Sequence, residues 1–225
     1  MMSEDKSSAA SSSLPRWVQK ILIPASLGGV VGFGASAGMI AYIKGVKGAD
    51  GIGLDASATI AALVAVLYVL IGLSVGFGAV IPGLGAKFLN VEDADELREQ
   101  KKTLILSGLA MMLFGVALAA LAFAAPDGPL SQGAALAVAM AGLVAGTFLS
   151  VLVYRASDEL MTAVNLEACA ISYGLVFLVF GIWGMLSHLG YTAPPAPLDL
   201  VTSFYTLALL ATFVAVGRRG MLATR

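Results

Sequence analysis

The sequence predicts an all-α integral membrane protein, a bundle of six transmembrane helices with both termini in the cytoplasm. Of its 225 residues, 59% are hydrophobic and only 12% are charged, whereas a soluble domain carries roughly 25% charged residues. A soluble chain of this composition would expose large apolar patches and aggregate, so a lipid bilayer is its expected solvent. Six long apolar runs and an uneven distribution of Lys and Arg complete the prediction.

The six runs each reach or approach the roughly 20 apolar residues that a membrane-spanning helix needs, and the longer ones are compatible with tilt. The polar, Ser-rich and Ala-rich tail before them, residues 1–16, cannot bury enough apolar surface to fold alone, so we expect it to be disordered. The transmembrane domain covers 17–217, and 218–225 form a short cytoplasmic tail. The predicted spans are about 18–43, 57–86, 103–125, 132–154, 166–188 and 199–217.

The basic residues predict the orientation of the bundle. With the N-terminus inside and six alternating spans, eleven Lys and Arg residues fall on the cytoplasmic side. Only Lys44 and Lys47 fall outside, and the outer segments 126–131 and 189–198 carry no positive charge. An excess of Lys and Arg in the short cytoplasmic loops is the usual determinant of orientation. The chain is therefore expected to cross its membrane several times, with both termini in the cytoplasm.

The first apolar run has an alternative interpretation as a cleaved signal peptide, with Ala35-Ser36-Ala37 as the cleavage site. We favour a retained first helix for two reasons: Glu4 and Asp5 lie in a leading segment that is long for a signal peptide, and the run stays apolar beyond the site. Cleavage would also leave five spans and destroy the pattern of basic residues.

Small residues are concentrated in the first, second and fourth spans. Because lipid is as apolar as leucine, transmembrane helices associate through close packing, which glycines permit. We expect these glycines to pack helices of this chain together, and the alternative is a face for another subunit. They are Gly28, Gly32, Gly34, Gly38, Gly72, Gly76, Gly142 and Gly146.

Charged residues are absent from the midpoint of every span, which weakens the case for an ion-coupled carrier. A single cysteine, Cys169, and a single histidine, His188, exclude an intrachain disulfide and a His-rich metal site. No cofactor or nucleic-acid partner is predicted. The expected partners are the bilayer and other membrane proteins, in a homo-oligomer or hetero-oligomer.

Two acidic segments are predicted to begin helices on the cytoplasmic side. In the first, Asp93 is a suitable N-cap, and in the second, "RASDELMTAVNLEA" at 155–168, Ser157 is the expected cap. Carboxylates in a first helical turn are stabilised by the positive helix end. These segments supply the candidate functional residues, which are Glu167, Asp158, Glu159, Asn165, Asp95 and Glu96.

Glu167 is the candidate that helix capping does not explain. On a continuous helix, Arg155, Asp158 and Asn165 would share one face, and Glu167 would lie nearly opposite Asp158, roughly 13 Å further along. It would then sit at the headgroup boundary, either facing the packed bundle or extending to water. We favour extension to water.

The segments "GAKFLNVEDADELREQKK", "SDELMTAVNLEA" and "GIWGMLSHLGY" resemble uncharacterised multi-pass inner-membrane proteins of alphaproteobacteria. The shared pattern is a juxtamembrane turn with Asp and Glu, an alanine-rich helix start and a Trp-Gly near the far end of that helix. It covers mainly residues 85–190 and implies an inner-membrane location without any assigned activity. It corresponds here to Asp158, Glu159, Glu167, Ala168, Trp183 and Gly184.

The leading functional hypothesis is a non-enzymatic accessory or assembly subunit that packs against membrane partners. It is based on the small-residue faces, the charged cytoplasmic turns and the uncharged membrane interior. The alternative is a facilitator or transporter for a small solute, with Glu167 near its inner mouth. A third possibility is a membrane enzyme with a carboxylate site at the cytoplasmic interface.

Overall fold

In a computed structural model of the chain, residues 54–81 and 100–221 are described, apart from 125 and 127, together with four isolated helical residues, Gly34, Ala37, Gly38 and Ala41. The described part is all-helical, and each of its five long helices is long and apolar enough to cross a membrane. We number these helices α1 (Ala56–Val80), α2 (Lys101–Ala122), α3 (Gln132–Ala156), α4 (Glu159–His188) and α5 (Pro197–Arg218).

Most of these helices begin where a side chain can satisfy the free backbone N–H groups of the first turn. Asp55 accepts from the Ala58 N–H at 2.6 Å, and Ser131 accepts from the Ala134 N–H at 3.3 Å. Before α5, the chain is fixed by Pro197 at the first helical position, and Asp199 Oδ2 accepts from the Ala196 N–H at 3.0 Å. The sequence therefore sets the starts of α1, α3 and α5 locally. The start of α4 is described below with the candidate site.

The two longest helix–helix interfaces are antiparallel. Gly72 of α1 lies against Gly108 of α2, and Gly142 of α3 lies against Leu113 and Ala117 of α2. The fifth helix returns to α1 and runs parallel to it, since Leu198 packs near Ala58 and Tyr205 packs against Tyr68. α4 then packs along α5, and α3 and α4 share no extended interface although only Ser157 and Asp158 join them.

The centre of the bundle is built largely from alanine and glycine. The main buried cluster joins α1 and α2, with side chains of α5 packed against it. Small side chains let helix backbones approach closely, which is the main source of helix association in lipid. The fully buried members are Ala61, Ala62, Ala65, Leu118 and Ala122.

The glycines predicted to pack helices have different surroundings. A Cβ on Gly72 would lie 2.5 Å from the Gly108 carbonyl oxygen, and one on Gly146 would lie 2.8 Å from Phe114. A Cβ on Gly76 would meet no atom within 4 Å, and the same holds for Gly34 and Gly38. Gly28 and Gly32 lie outside the described residues. The second and fourth predicted spans thus both pack against the third, whose Gly108 and Gly115 the sequence pattern missed.

Several predicted boundaries differ from the observed ones. The fifth predicted span, 166–188, belongs to a helix that begins seven residues earlier, at Glu159. The second predicted span, 57–86, is helical to Val80, and residues 82–86 lie outside the described residues. Most of the first predicted span, 18–43, also lies outside them, as do the tail 1–16 and the segment 82–99.

Candidate functional site at the basic end of the bundle

Every Lys and Arg that the structure describes lies at one end of the bundle, which we call the basic end. The helix directions bring the start of α2, the end of α3 and the end of α5 to this end. The opposite end carries Asp55, Asp199 and His188, and no described Lys or Arg lies there. The basic residues are Lys101, Lys102, Arg155, Arg218 and Arg219.

Glu167 forms a two-arginine ion pair with the end of α5. Its Oε2 accepts from Arg219 Nε at 2.8 Å, and its Oε1 lies 3.3 Å from Arg218 Nη1. Arg219 Nη2 also donates to the Ala163 carbonyl at 3.5 Å. The Glu167 side chain is 23% exposed, against 67% for Arg218 and 32% for Arg219. We call this arrangement the Glu167 clasp; it fixes α4 to the end of α5.

Sequence reasoning singled out Glu167 but did not identify the two arginines that pair with it. We favoured a Glu167 side chain that extends to water, but the carboxylate is mostly covered and pairs with two arginines. Those partners are 51 and 52 residues further along the chain. Only the fold of α4 against α5 brings them together, so no local signal at Glu167 could identify them.

The predicted cap of α4 is wrong by one residue. Asp158 is the N-cap, and its Oδ1 accepts from the Met161 N–H at 2.7 Å. Ser157 ends α3 instead, and its hydroxyl donates to the Val153 carbonyl at 2.9 Å. Arg155 therefore belongs to a different helix from Asp158, and the predicted common face of these residues does not exist. Both Ser and Asp are good caps, so the local sequence does not distinguish them.

Of the other candidate residues, the two that are described on α4 form no hydrogen bond or ion pair with the Glu167 clasp. Glu159 is exposed in the first turn of α4, and Asn165 is partly covered on that helix. Asp95 and Glu96 lie outside the described residues, as does the predicted cap Asp93. Among the described residues, no group of three His, Cys, Asp or Glu side chains could hold a metal ion.

A second polar contact, which sequence reasoning also missed, lies deep in the bundle. The Tyr68 hydroxyl of α1 donates to the Tyr205 carbonyl of α5 at 2.7 Å. The two rings pack edge to face with centroids 5.0 Å apart, and Phe114 of α2 stands perpendicular to Tyr205 at 6.3 Å. These contacts place three helices around one aromatic cluster. Tyr68 and Tyr205 are 137 positions apart in the sequence, so no local sequence pattern predicts this contact.

The outer face of α4, which we define by Leu166, Tyr173 and Phe177, is left uncovered by the described residues. None of the α4 residues from Cys169 to His188 is buried. Tyr173 lies halfway along the helix with 75% of its surface exposed. Its hydroxyl has no hydrogen-bond partner among the described residues. A polar group is thus left without a partner among the described residues, halfway along a helix long enough to cross a membrane.

Many other hydroxyl groups of the described helices are satisfied locally, whereas Ser107, Thr147 and Ser172 have no hydrogen-bond partner among the described residues. Seven Ser and Thr side chains donate to the carbonyl oxygen four residues earlier in the chain, which satisfies them without water or a second helix. Buried polar side-chain atoms without a partner are absent from the described part. The seven donors are Thr59, Ser74, Ser150, Ser157, Thr202, Thr206 and Thr212.

Comparison with known proteins adds no assignment to this geometry. No protein-family model, curated protein or solved structure matches the chain.

Proposed function

We propose that the chain is a non-enzymatic accessory or assembly subunit of a bacterial inner membrane, and that it binds a further transmembrane helix along the outer face of α4. The observation that carries this proposal is the exposed Tyr173 hydroxyl at mid-span, for which the described residues provide no hydrogen-bond partner. An exposed apolar helix face alone would be no argument, because lipid covers such faces in every membrane protein.

The Tyr173 hydroxyl does provide an argument for a partner helix, because hydrocarbon contains no group that can form a hydrogen bond with it. An unpaired polar group in an apolar medium costs free energy, and a neighbouring helix can remove that cost with a backbone carbonyl or polar side chain. Leu166 is 57% exposed and Phe177 is 68% exposed, one or two turns to either side of Tyr173. A helix that reached Tyr173 would therefore also cover apolar surface.

The proposed arrangement in the membrane has six spans, with the basic end and both termini in the cytoplasm. The five described helices supply five of the spans, and the run at 18–43 supplies the sixth. The collection of all described Lys and Arg residues at one end supports this orientation.

The test compares Tyr173→Phe with Tyr154→Phe, which removes the same hydroxyl from an exposed tyrosine near the end of α3. The protein is extracted in a mild detergent, and the fraction in a complex is followed by native mass spectrometry as detergent is added. An interhelical hydrogen bond in a membrane contributes about 0.6 kcal/mol. Tyr173→Phe should therefore weaken association about threefold, and Tyr154→Phe should not weaken it.

The proposal fails if the wild-type protein leaves the membrane in mild detergent as a monomer without any partner. It also fails if the two substitutions weaken the complex equally, because the Tyr173 hydroxyl would then have no specific role.

A further inference from the structure

We propose that Arg218 and Arg219 form a binding site for a phosphate group at the basic end of the bundle. Such a group is carried by anionic lipid headgroups and by soluble phosphate compounds. The site would be separate from the outer face of α4, and it does not depend on the function proposed above.

Among the described residues, the Glu167 clasp leaves most donors of the two arginines without a partner. Each guanidinium has five N–H donors. Arg219 donates through Nε to Glu167 and through Nη2 to the Ala163 carbonyl, whereas Arg218 Nη1 only forms an ion pair with Glu167 Oε1 at 3.3 Å. Two cations against one carboxylate leave a net charge of about +1 on these three side chains. The clasp is thus cationic, and it retains donors that no described residue uses.

The two arginines are not needed to close α5. The last carbonyls of the helix already accept backbone hydrogen bonds: Ala215 from Arg219, Gly217 from Gly220 and Val216 from Met221. Gly220 makes this turn possible with a left-handed φ of 70°. Arginine side chains often cap the carbonyls at a helix end. Here backbone N–H groups already do so, and the arginine side chains are not needed for this role.

The geometry of the two arginines favours specific binding of a phosphate group over a general electrostatic attraction of anions. A guanidinium presents parallel N–H donors that match two oxygens of one phosphate, which a lysine ammonium does not do. Glu167 restricts Arg219 to one orientation, so less side-chain freedom is lost when an anion binds. Arg218 is the more accessible of the two, with its longer 3.3 Å contact and 67% exposed side chain.

The experiment measures lipid binding by the purified full-length chain in mild detergent, with native mass spectrometry as the readout. Phosphatidylglycerol and phosphatidylcholine are titrated against the wild type, Arg218→Gln and Arg155→Gln. Arg155 is the matched control, since it is an exposed arginine at the same end for which the described residues provide no acidic partner. Loss of one hydrogen bond to the bound phosphate costs about 1 kcal/mol, which corresponds to a factor of about five.

We expect Arg218→Gln to weaken phosphatidylglycerol binding about fivefold and Arg155→Gln to leave it unchanged. Inorganic phosphate, added as a competitor, distinguishes the source of the group. Displacement of the lipid at millimolar phosphate supports a site filled from solution, and no displacement supports a lipid headgroup. Equal losses in the two variants would overturn the proposal. Equal binding of the two lipids by the wild type would also overturn it, because the choline cation of phosphatidylcholine neutralises its phosphate and only phosphatidylglycerol presents a net anion.

Discussion

The carboxylate of Glu167 connects two helices that also pack together at this end around Val164, Ala168 and Ala215. It accepts from Arg219 at 2.8 Å in a partly covered position. Exposed ion pairs contribute about 0.2–1 kcal/mol, and hydrogen bonds between charged groups contribute more once water is partly excluded. The pair with Arg219 therefore dominates the clasp, and the longer pair with exposed Arg218 contributes less.

Glu167→Gln should lower the free energy of unfolding by about 1 kcal/mol, because Arg219 loses its charged acceptor. The measurement is denaturant-induced unfolding in detergent, with a double-mutant cycle that adds Arg219→Gln. A coupling energy of about 1 kcal/mol is expected between the two positions, and Arg155→Gln is the control that should leave stability unchanged. Additive effects of Glu167→Gln and Arg219→Gln would show that the clasp stabilises nothing.

At this scale the sequence predicts which side chain is unusual but not what it does. Glu167 stands out because it lies too far from the start of α4 to serve the helix end. Its two arginines belong to another helix, and their identity as partners depends on the register of α4 against α5. The N-cap of α4 shows a second limit of prediction from sequence. Ser157 and Asp158 are adjacent and equally good caps, and tertiary structure decides between them.

At the scale of helices, the contact between α1 and α2 depends on Gly72 and Gly108 at the crossing point. Each would place an added Cβ within 2.6 Å of a backbone oxygen of the other. Backbone atoms cannot move aside as a flexible side chain can, so a methyl group here forces the helices apart.

Gly72→Ala should therefore destabilise the bundle by about 1–3 kcal/mol. Gly76→Ala, one turn further on the same helix, should have little effect, because its Cβ would meet no atom within 4 Å. Unfolding of the two variants in a series of detergent mixtures provides the comparison. Equal stability of Gly72→Ala and Gly76→Ala would contradict this account of the interface.

The helix scale also shows why a pattern of small residues is only a partial guide. The spacing of Gly72 and Gly76 correctly draws attention to α1, and both glycines lie close to Gly108, although only a Cβ added to Gly72 would clash. Gly108 has a methionine four residues later and so escapes the same pattern. Close approach requires a small residue on each of the two helices at the crossing point. The sequence of one helix does not show which residue of the other helix lies opposite.

For the whole molecule, the composition predicts a helical membrane protein, and the described part is all-helical with five helices suited to spanning. The number and order of the apolar runs predict the described helices to within a few residues, except at the start of α4. The arrangement of the helices is not predictable in the same way. Apolar runs look alike in sequence, so nothing local indicates that α5 returns to α1 or that α3 and α4 separate.

The proposed orientation can be tested with single cysteines introduced into a Cys169→Ala background. Tyr191→Cys lies in the turn before α5, where the native side chain is 76% exposed, and Met221→Cys follows α5 at the basic end. A membrane-impermeant maleimide should label Tyr191→Cys in intact cells and Met221→Cys only after permeabilisation. The reverse pattern would place the basic end outside and would refute the proposed topology.

The contact between Tyr68 and Tyr205 has a consequence for the biosynthesis of the chain. The two residues lie 137 positions apart, so α1 enters the membrane long before its hydrogen-bond acceptor has been translated. Until α5 follows, the Tyr68 hydroxyl must find a temporary partner in the translocation channel, in water or on another helix. A nascent chain that stops before α5 therefore carries an unfinished polar contact in α1.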